Sequence, residues 1–271
     1  MTTVAVCGGV NWDEIWLLAD DPLQHGKVEA LAVHRALGGS AANTASWLAA
    51  LVERVELIGA VGEDPEGRAC LDWLDLAGVG CGSVEVIAGA GTSRACCWSA
   101  AASKRIVTRR EPALRRDHAS AVALAALASA EHLHLASTTD AAVLQCLRVA
   151  VGGGLSVSVE LSGRRLDEAR RHADVVFLNA AELLTVFGVG LGRLDADAVA
   201  SVAPKRGATL VITNGAESVV CATAAGTQAF RVEVAARGAR SVTRSRQCAA
   251  CSVMDSCVPR GPARSLPLDA A

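Results

Sequence analysis

Val4 to Cys7 is a short apolar, β-branched run that stops at Gly8-Gly9. That pattern predicts a buried strand with a turn at its carboxyl end. Glu14 to Leu18 and Val28 to Val33 are half-apolar runs separated by the turn-like DDPLQHG, and they predict the strands of a small antiparallel flap. Gly38-Gly39 opens an Ala-rich stretch with helical spacing, Ala41 to Leu51. Val55 to Ile58 predicts a strand, Gly59 to Gly67 an acidic loop, and Glu66 to Ala77 a helix. Val84 to Ile87, Ala95 to Ser99 and Arg105 to Thr108 read as strands.

From there helices and strands alternate. Predicted helices are Ala119 to Ala128, Ala141 to Val151, Leu166 to His172, Ala181 to Val186 and Ala196 to Ala203. Predicted strands are His132 to Ala136, Leu155 to Glu160, Val175 to Leu178, Thr209 to Thr213 and Val219 to Thr223. Apolar strands alternating with helices imply an α/β fold: a doubly wound, mostly parallel sheet with helices on both faces. Ligands on such sheets bind beyond the carboxyl ends of the strands. After Val234 the periodicity stops, and residues 235–271 are rich in Arg and Pro with no apolar run longer than two or three residues. An irregular tail is expected there, because a segment without an apolar stripe cannot offset its ordering entropy.

Composition narrows the class. The 271 residues are 51% hydrophobic and 20% charged with a formal net charge of -2, so the chain is globular and carries no charge bias towards nucleic acid or anionic membranes. The 10 cysteines are irregularly spaced, and the single CxxC (Cys248, Cys251) is followed by no second ligand pair at zinc spacing. Free thiols in a reducing cytoplasm are the expectation. The N-terminus has no basic region before its apolar residues, and no apolar run reaches the roughly 18 residues of a membrane span.

Three small constellations could carry chemistry, and each has a purely structural alternative. Gly38-Gly39 before a helix lets a ligand approach bare backbone amides, with Asn43 one turn on; Gly-Gly is also ordinary punctuation. Asn11 and Asp13 follow the first strand as N-x-D and could hold vicinal hydroxyls; they could equally form a turn. Asn179 and Glu182 follow a strand as N-x-x-E, which suits either a hydrated hard cation or a helix start.

Taken together the motifs are specific. GGSAANTASWLAAL (Gly38 to Leu51) followed by Gly59, Val61, Gly62, Asp64 and Gly67 in G-x-V-G-x-D-x-x-G resembles the N-terminal signature of the PfkB/ribokinase carbohydrate kinases. Thr213 to Ala216 resembles the family's T-x-G-A. The resemblance covers Val4 to about Val234 and implies a ribokinase-like domain over 1–234, with flap segments within about 11–37 and 92–110. It implies ATP-dependent phosphorylation of a hydroxymethyl group on a sugar or nucleoside. It implies substrate contacts at Asn11, Asp13, Gly38, Gly39 and Asn43. It implies nucleotide contacts at Asn179, Glu182, Thr213, Gly215, Gly238 and Ala239, Mg²⁺ near Glu182, and a homodimer through the flap.

The chain departs from the family at its second signature, roughly D-T-x-G-A-G-D. Gly238-Ala239 matches two positions, no Asp follows, and the next acid is Asp255. The family's catalytic Asp therefore has no counterpart, and no catalytic residue is assigned. Codons shifted by one frame from about Val242 can spell Gly-Asp-Ala-Phe-Ala-Ala-Val. That is compatible with a frameshift after about Gly238, and a truly divergent tail is the other reading. A non-catalytic binding relative and an inactive frameshifted product stand as alternatives to an active kinase.

Overall fold

A computed structural model describes residues 2–22, 27–100, 103–136, 140–215 and 217–231. The tail beyond them, including Gly238, Ala239 and the proposed frameshift, lies outside the described residues.

Two sheets organise the chain. The larger has nine strands: β1 (Thr3–Gly8), β4 (Arg54–Gly62), β5 (Val84–Ile87), β8 (His132–Ala136), β9 (Ser156–Glu160), β10 (Val175–Asn179), β11 (Thr209–Asn214), β12 (Ser218–Thr223) and β13 (Gly226–Arg231). Their spatial order is β13-β12-β11-β10-β9-β8-β1-β4-β5. β5 to β11 are parallel in this sheet, and β12 and β13 close its edge as antiparallel hairpins. The smaller sheet holds β2 (Asn11–Leu18), β3 (Ala30–Gly38), β6 (Arg94–Ala100) and β7 (Ser103–Arg109) in the order β3-β2-β6-β7. The two runs expected to form an antiparallel flap do so as β2 and β3, and β6 joins β2 in parallel.

Helices cover both faces of the large sheet. α1 (Ser40–Leu48) and α2 (Pro65–Leu76) pack over Val4, Val6, Val55 and Leu57. α3 (Ala121–Ala128), α4 (Ala141–Gly152), α5 (Asp167–His172), α6 (Ala180–Phe187) and α7 (Ala196–Val202) contribute Leu127, Leu147, Ala169, Leu183 and Val199 to the opposite core, against Leu133, Val157, Val176 and Leu210. Each fully buried Leu here stabilises the fold by about 1.5–3 kcal/mol. The alternation of strand residues explains why both faces fill. On β8, Leu133 and Leu135 face the second core, while Ala136 joins the first. Val211 and Val219, with Val175, Phe177 and Cys221, form a small separate cluster.

Local sequence sets the element ends. Asp64 caps α2, with Pro65 in its first turn. Ser120, Asp140 and Asp195 cap α3, α4 and α7. Gly188, at φ 70°, ends α6 in the left-handed conformation that glycine adopts without penalty. The strand predicted to end at Ile58 continues to Gly62, so Gly59 to Gly62 is strand and not loop. β13 was not legible in GTQAFR, which has no clear alternation of apolar and polar residues.

Candidate functional site

In the large sheet β1 lies between β4 and β8, and the chain winds away from it in both directions. This is a topological switch point, where α/β sheets open a crevice at the carboxyl ends of their strands. A cavity of about 650 Å³ lies there. Gly8, Gly9, Val10 and Asn11 form its floor where β1 passes into β2, Gly39 and Ser40 form one wall, and Ala60 of β4 another. The remaining wall comes from the loop after β7, through Arg110, Glu111, Arg115 and Arg116, and from Asp140, Val143 and Arg164.

The glycines are required by close approach. A Cβ on Gly39 would lie 2.4 Å from the Gly9 carbonyl oxygen and 3.0 Å from the Asn11 nitrogen, and its φ of 93° disfavours other residues. α1 consequently begins without a side-chain cap, with Gly39 and Ser40 lining the cavity. The nearby Gly38 has a different constraint: a Cβ there would lie 2.1 Å from the Asp13 carboxyl carbon.

Of the residues expected at the substrate, Asn11 and Gly39 line the cavity, whereas Asp13, Gly38 and Asn43 are not among its lining residues. Asn11 pairs with Gly38, and Asp13 with Ala36, across β2 and β3. Asn43 is tied to Gly39 through its backbone nitrogen, 2.9 Å from the Gly39 oxygen. Asp13 Oδ1 is buried without a hydrogen-bond partner. Burial pushes its carboxyl up to about 6, a rise that the Lys104 ammonium partly counters. An uncompensated buried carboxylate is costly, so this position is strained towards binding a donor.

The second group of expected residues comes together around β10 and β11. Asn179 and Thr213 are register partners on these parallel strands. Asn179 Oδ1 accepts from the Glu182 nitrogen at 2.8 Å, and Glu182 Oε2 accepts from the Asn179 nitrogen at 3.0 Å. This reciprocal capping box starts α6, so the structural reading of N-x-x-E holds whatever else the pair does. It leaves Glu182 Oε1 available. Gly215, at φ 59°, turns the chain from β11 to β12, where Asn214 Nδ2 donates to Glu217 Oε2 at 2.9 Å. Ala216 lies outside the described residues.

No three His, Cys, Asp or Glu residues cluster as a metal group among the described residues. Glu182 Oε1 is the one carboxylate oxygen of the pair that could be offered to an ion whose other ligands are water and phosphate. That is the habit of Mg²⁺, not of an ion held in an all-protein cage.

The G-x-V-G-x-D-x-x-G segment serves as scaffold. Asp64 accepts from the Gly67 nitrogen at 2.8 Å, from the Thr92 nitrogen at 2.8 Å and from the Thr92 hydroxyl at 2.5 Å. Thr92 Oγ1 also accepts from the Gly62 nitrogen at 3.0 Å. Burial raises the Asp64 carboxyl, and the bonds from Thr92 and Gly67, with Arg94 nearby, outweigh that and hold it below its ordinary range. Asp64 thereby fastens the segment leading into β6 to the start of α2.

Sequence reasoning missed Arg110, Arg115, Arg116, Arg164 and Asp140. The dense RREPALRR stretch after a flap strand was a usable signal, as was an Asp directly before the Ala-rich α4. Nothing local marks Arg164, which the fold brings in from the loop after β9.

The sequence matches the pfkB family carbohydrate kinases over residues 1–243. An ATP-dependent ribose-1-phosphate kinase from Halopiger xanaduensis is 30% identical over 188 residues, 68% of this chain and 63% of the relative. The match thus spans less than two thirds of that relative's length. Among solved structures, Arabidopsis thaliana ribokinase complexed with ribose and ATP superposes with a TM-score of 0.73 at 19% identity, covering 88% of this chain and 80% of that one. Adenosine kinase from Sinorhizobium meliloti gives 0.74 at 19% identity, covering 92% and 85%. Halothermothrix orenii fructokinase gives 0.71 at 18%, covering 87% and 86%. These similarities show the fold.

Proposed function

The chain belongs to the pfkB family of carbohydrate kinases, and from that premise we propose that its cleft is built for ATP-dependent phosphorylation of a hydroxymethyl group on a sugar or nucleoside. The observation that carries the reading is the switch-point cavity, which joins the end of β1 and Asn11 to the uncapped start of α1 at Gly39. In this reading Asn11, Asp13, Gly38, Gly39 and Asn43 hold the acceptor's hydroxyls. Asp13, with its unpartnered oxygen, takes two of them. Asn179, Glu182, Thr213 and Gly215 serve the nucleotide at the carboxyl ends of β10 and β11, and Gly238 and Ala239 serve its phosphates. Glu182 would hold Mg²⁺ through its remaining oxygen. When bound, that ion neutralises phosphate charge.

The acceptor oxygen would attack the γ-phosphorus in line. One O–P bond forms, the bond to the β–γ bridging oxygen breaks with ADP leaving, and the hydroxyl proton must go to a base. The cleft residues orient the acceptor. No Asp stands at the family's position after Gly238-Ala239, the next acid being Asp255, so the proton lacks the family's acceptor. Loss of a general base typically costs about 10²- to 10⁴-fold. The chain is therefore proposed to bind with little turnover, a reading shared by a non-catalytic relative. The account places a ribokinase-like domain over 1–234, a homodimer contact on the flap, and the protein in the cytoplasm, with no nucleic-acid or membrane partner.

The test pairs a coupled ADP-release assay on the full chain with calorimetric titration of ADP and of ribose. Binding with turnover at least about 10²-fold below an active family member supports the proposal. Robust turnover contradicts the impairment, and absence of all binding contradicts the site. Sequencing the gene across the codons for Arg237 to Cys248 decides between a frameshift and a divergent tail.

A further inference from the structure

Ser93 bonds two parts of the proposed acceptor site while lying outside the residues that line its cavity. It is 9% exposed. Its carbonyl oxygen accepts from the Trp12 nitrogen at 2.8 Å. Trp12 stands on β2 between Asn11 and Asp13, the two side chains assigned to acceptor hydroxyls. The Ser93 hydroxyl oxygen accepts from the Glu111 nitrogen at 3.0 Å. Glu111 lines the cavity and opens its wall after β7. Its side chain accepts from the Ala113 nitrogen at 3.4 Å, starting a turn of 3-10 helix over Pro112–Leu114, and the chain continues into the cavity-lining Arg115 and Arg116.

The neighbouring attachments are fixed independently of Ser93. Thr92, the residue before it, is fastened to Asp64 and Gly62. The far end of the wall is tied at Arg116, whose carbonyl oxygen accepts from the Ala142 nitrogen at 3.1 Å and whose guanidinium bonds Glu85 at 2.9 Å. The near end, at Glu111, is held by a side-chain hydroxyl. The two bonds made by Ser93 therefore differ in what they ask of the sequence. Any residue at this position offers the carbonyl to Trp12, but only a hydroxylated side chain offers an oxygen to Glu111. Removing that oxygen leaves a backbone donor without its partner, which is the costly way to lose a hydrogen bond.

We propose that Ser93 is a positioning residue of the acceptor site: its hydroxyl holds the wall at 110–116 in place against β2, so that a sugar bound by Asn11 and Asp13 meets a wall already set. This rests on the acceptor-site reading above and adds to it a residue that touches no ligand. Holding the two sides of a site in one arrangement before binding removes an ordering cost from the binding step. Sugar held at β2 should thus steady the wall through Ser93, and the two segments should respond to sugar together.

The test is hydrogen exchange on the full chain with and without saturating ribose, read in residues 10–18 and 109–116, with ribose and ADP affinities measured by calorimetry. It is run on the parent, Ser93→Ala and Ser93→Thr. Ribose should slow exchange in both segments of the parent and of Ser93→Thr, which keeps the hydroxyl. In Ser93→Ala, ribose should still slow residues 10–18, while its effect on 109–116 falls by about fivefold or more and its affinity drops by a similar factor. ADP affinity should stay within about twofold throughout. Ser93→Cys, whose sulfur accepts only weakly, carries the same comparison where Ser93→Ala does not fold. If Ser93→Ala loosens 109–116 equally with and without ribose and keeps the parent's affinity, the hydroxyl is a structural bond only and the proposal fails. If Ser93→Thr behaves as Ser93→Ala does, the hydroxyl is not the link and the proposal fails. In both cases protection of residues 10–18 by ribose leaves the acceptor site standing. If ribose changes neither segment of the parent, the acceptor-site reading falls and the proposal falls with it.

Discussion

Asn179 and Thr213 stand side by side in register at the carboxyl ends of the parallel strands β10 and β11, and the Asn179 side chain simultaneously caps α6. One residue therefore both builds the helix and fixes the edge of the proposed nucleotide site.

Two substitutions separate those roles. Asn179→Ala removes the cap and should cost about 0.5–2 kcal/mol of stability, seen as a lower melting temperature. Glu182→Gln keeps the capping box, since Gln can accept from the Asn179 nitrogen. It should melt like the parent and lose the Mg²⁺ dependence of ADP affinity. If ADP binds both variants as it binds the parent, the pair is a cap and nothing more.

Gly39→Ala should damage fold and cleft together. The new methyl meets the Gly9 oxygen at 2.4 Å in a backbone conformation that disfavours side chains. A cost of about 1–3 kcal/mol is expected, with weakened ribose binding. Chemical denaturation and calorimetry read the two effects. A variant as stable as the parent would mean that the α1 entry is looser than described.

Asp13 predicts a pH dependence. Its folded-state value of about 6 lies above the ordinary 3.8, so the folded chain binds more protons than the unfolded chain between these values. Its contribution to stability must therefore fall as pH rises from about 4 to about 6 and stay low above that. Asp13→Asn should melt higher than the parent at pH 8 and no higher at pH 3.5, while ribose binding weakens. Equal stabilisation at both pH values would contradict the buried, unpartnered carboxyl.

Asp64→Ala removes three bonds: the one from Gly67 that caps α2 and the two that fasten Thr92. The loss should exceed that of a simple cap, which is about 1 kcal/mol. Hydrogen exchange should rise first in the amides of Thr92 and Gly67. In the parent, the stability that Asp64 supplies is present above its unfolded value and lost as pH falls through its lowered folded value.

The alternating half of the chain was legible because buried parallel strands are continuous apolar runs. Val175 to Leu178 and Leu210 to Ile212 declare themselves, and caps such as Asp140 mark the helices of this half. β13 was not, since an edge strand with one exposed face needs little apolar sequence. The parallel pairing of β2 with β6 was not either, because pairing between segments some eighty residues apart leaves no local trace. In the site, Gly39 and Asn11 were readable as motif, while Arg164 was not. Its role depends on which loop the sheet order brings to β1.

The central claim is that the cavity at the end of β1 is the acceptor half of a kinase cleft. Calorimetric titration of the full 271-residue chain with ribose and its phosphates, parent against Asp13→Asn, tests it most directly. The account predicts saturable one-to-one binding of a ribose species that weakens by about tenfold or more in the variant, as expected for loss of charged hydrogen bonds. Equal binding by parent and variant, or no binding by the folded parent, would contradict it.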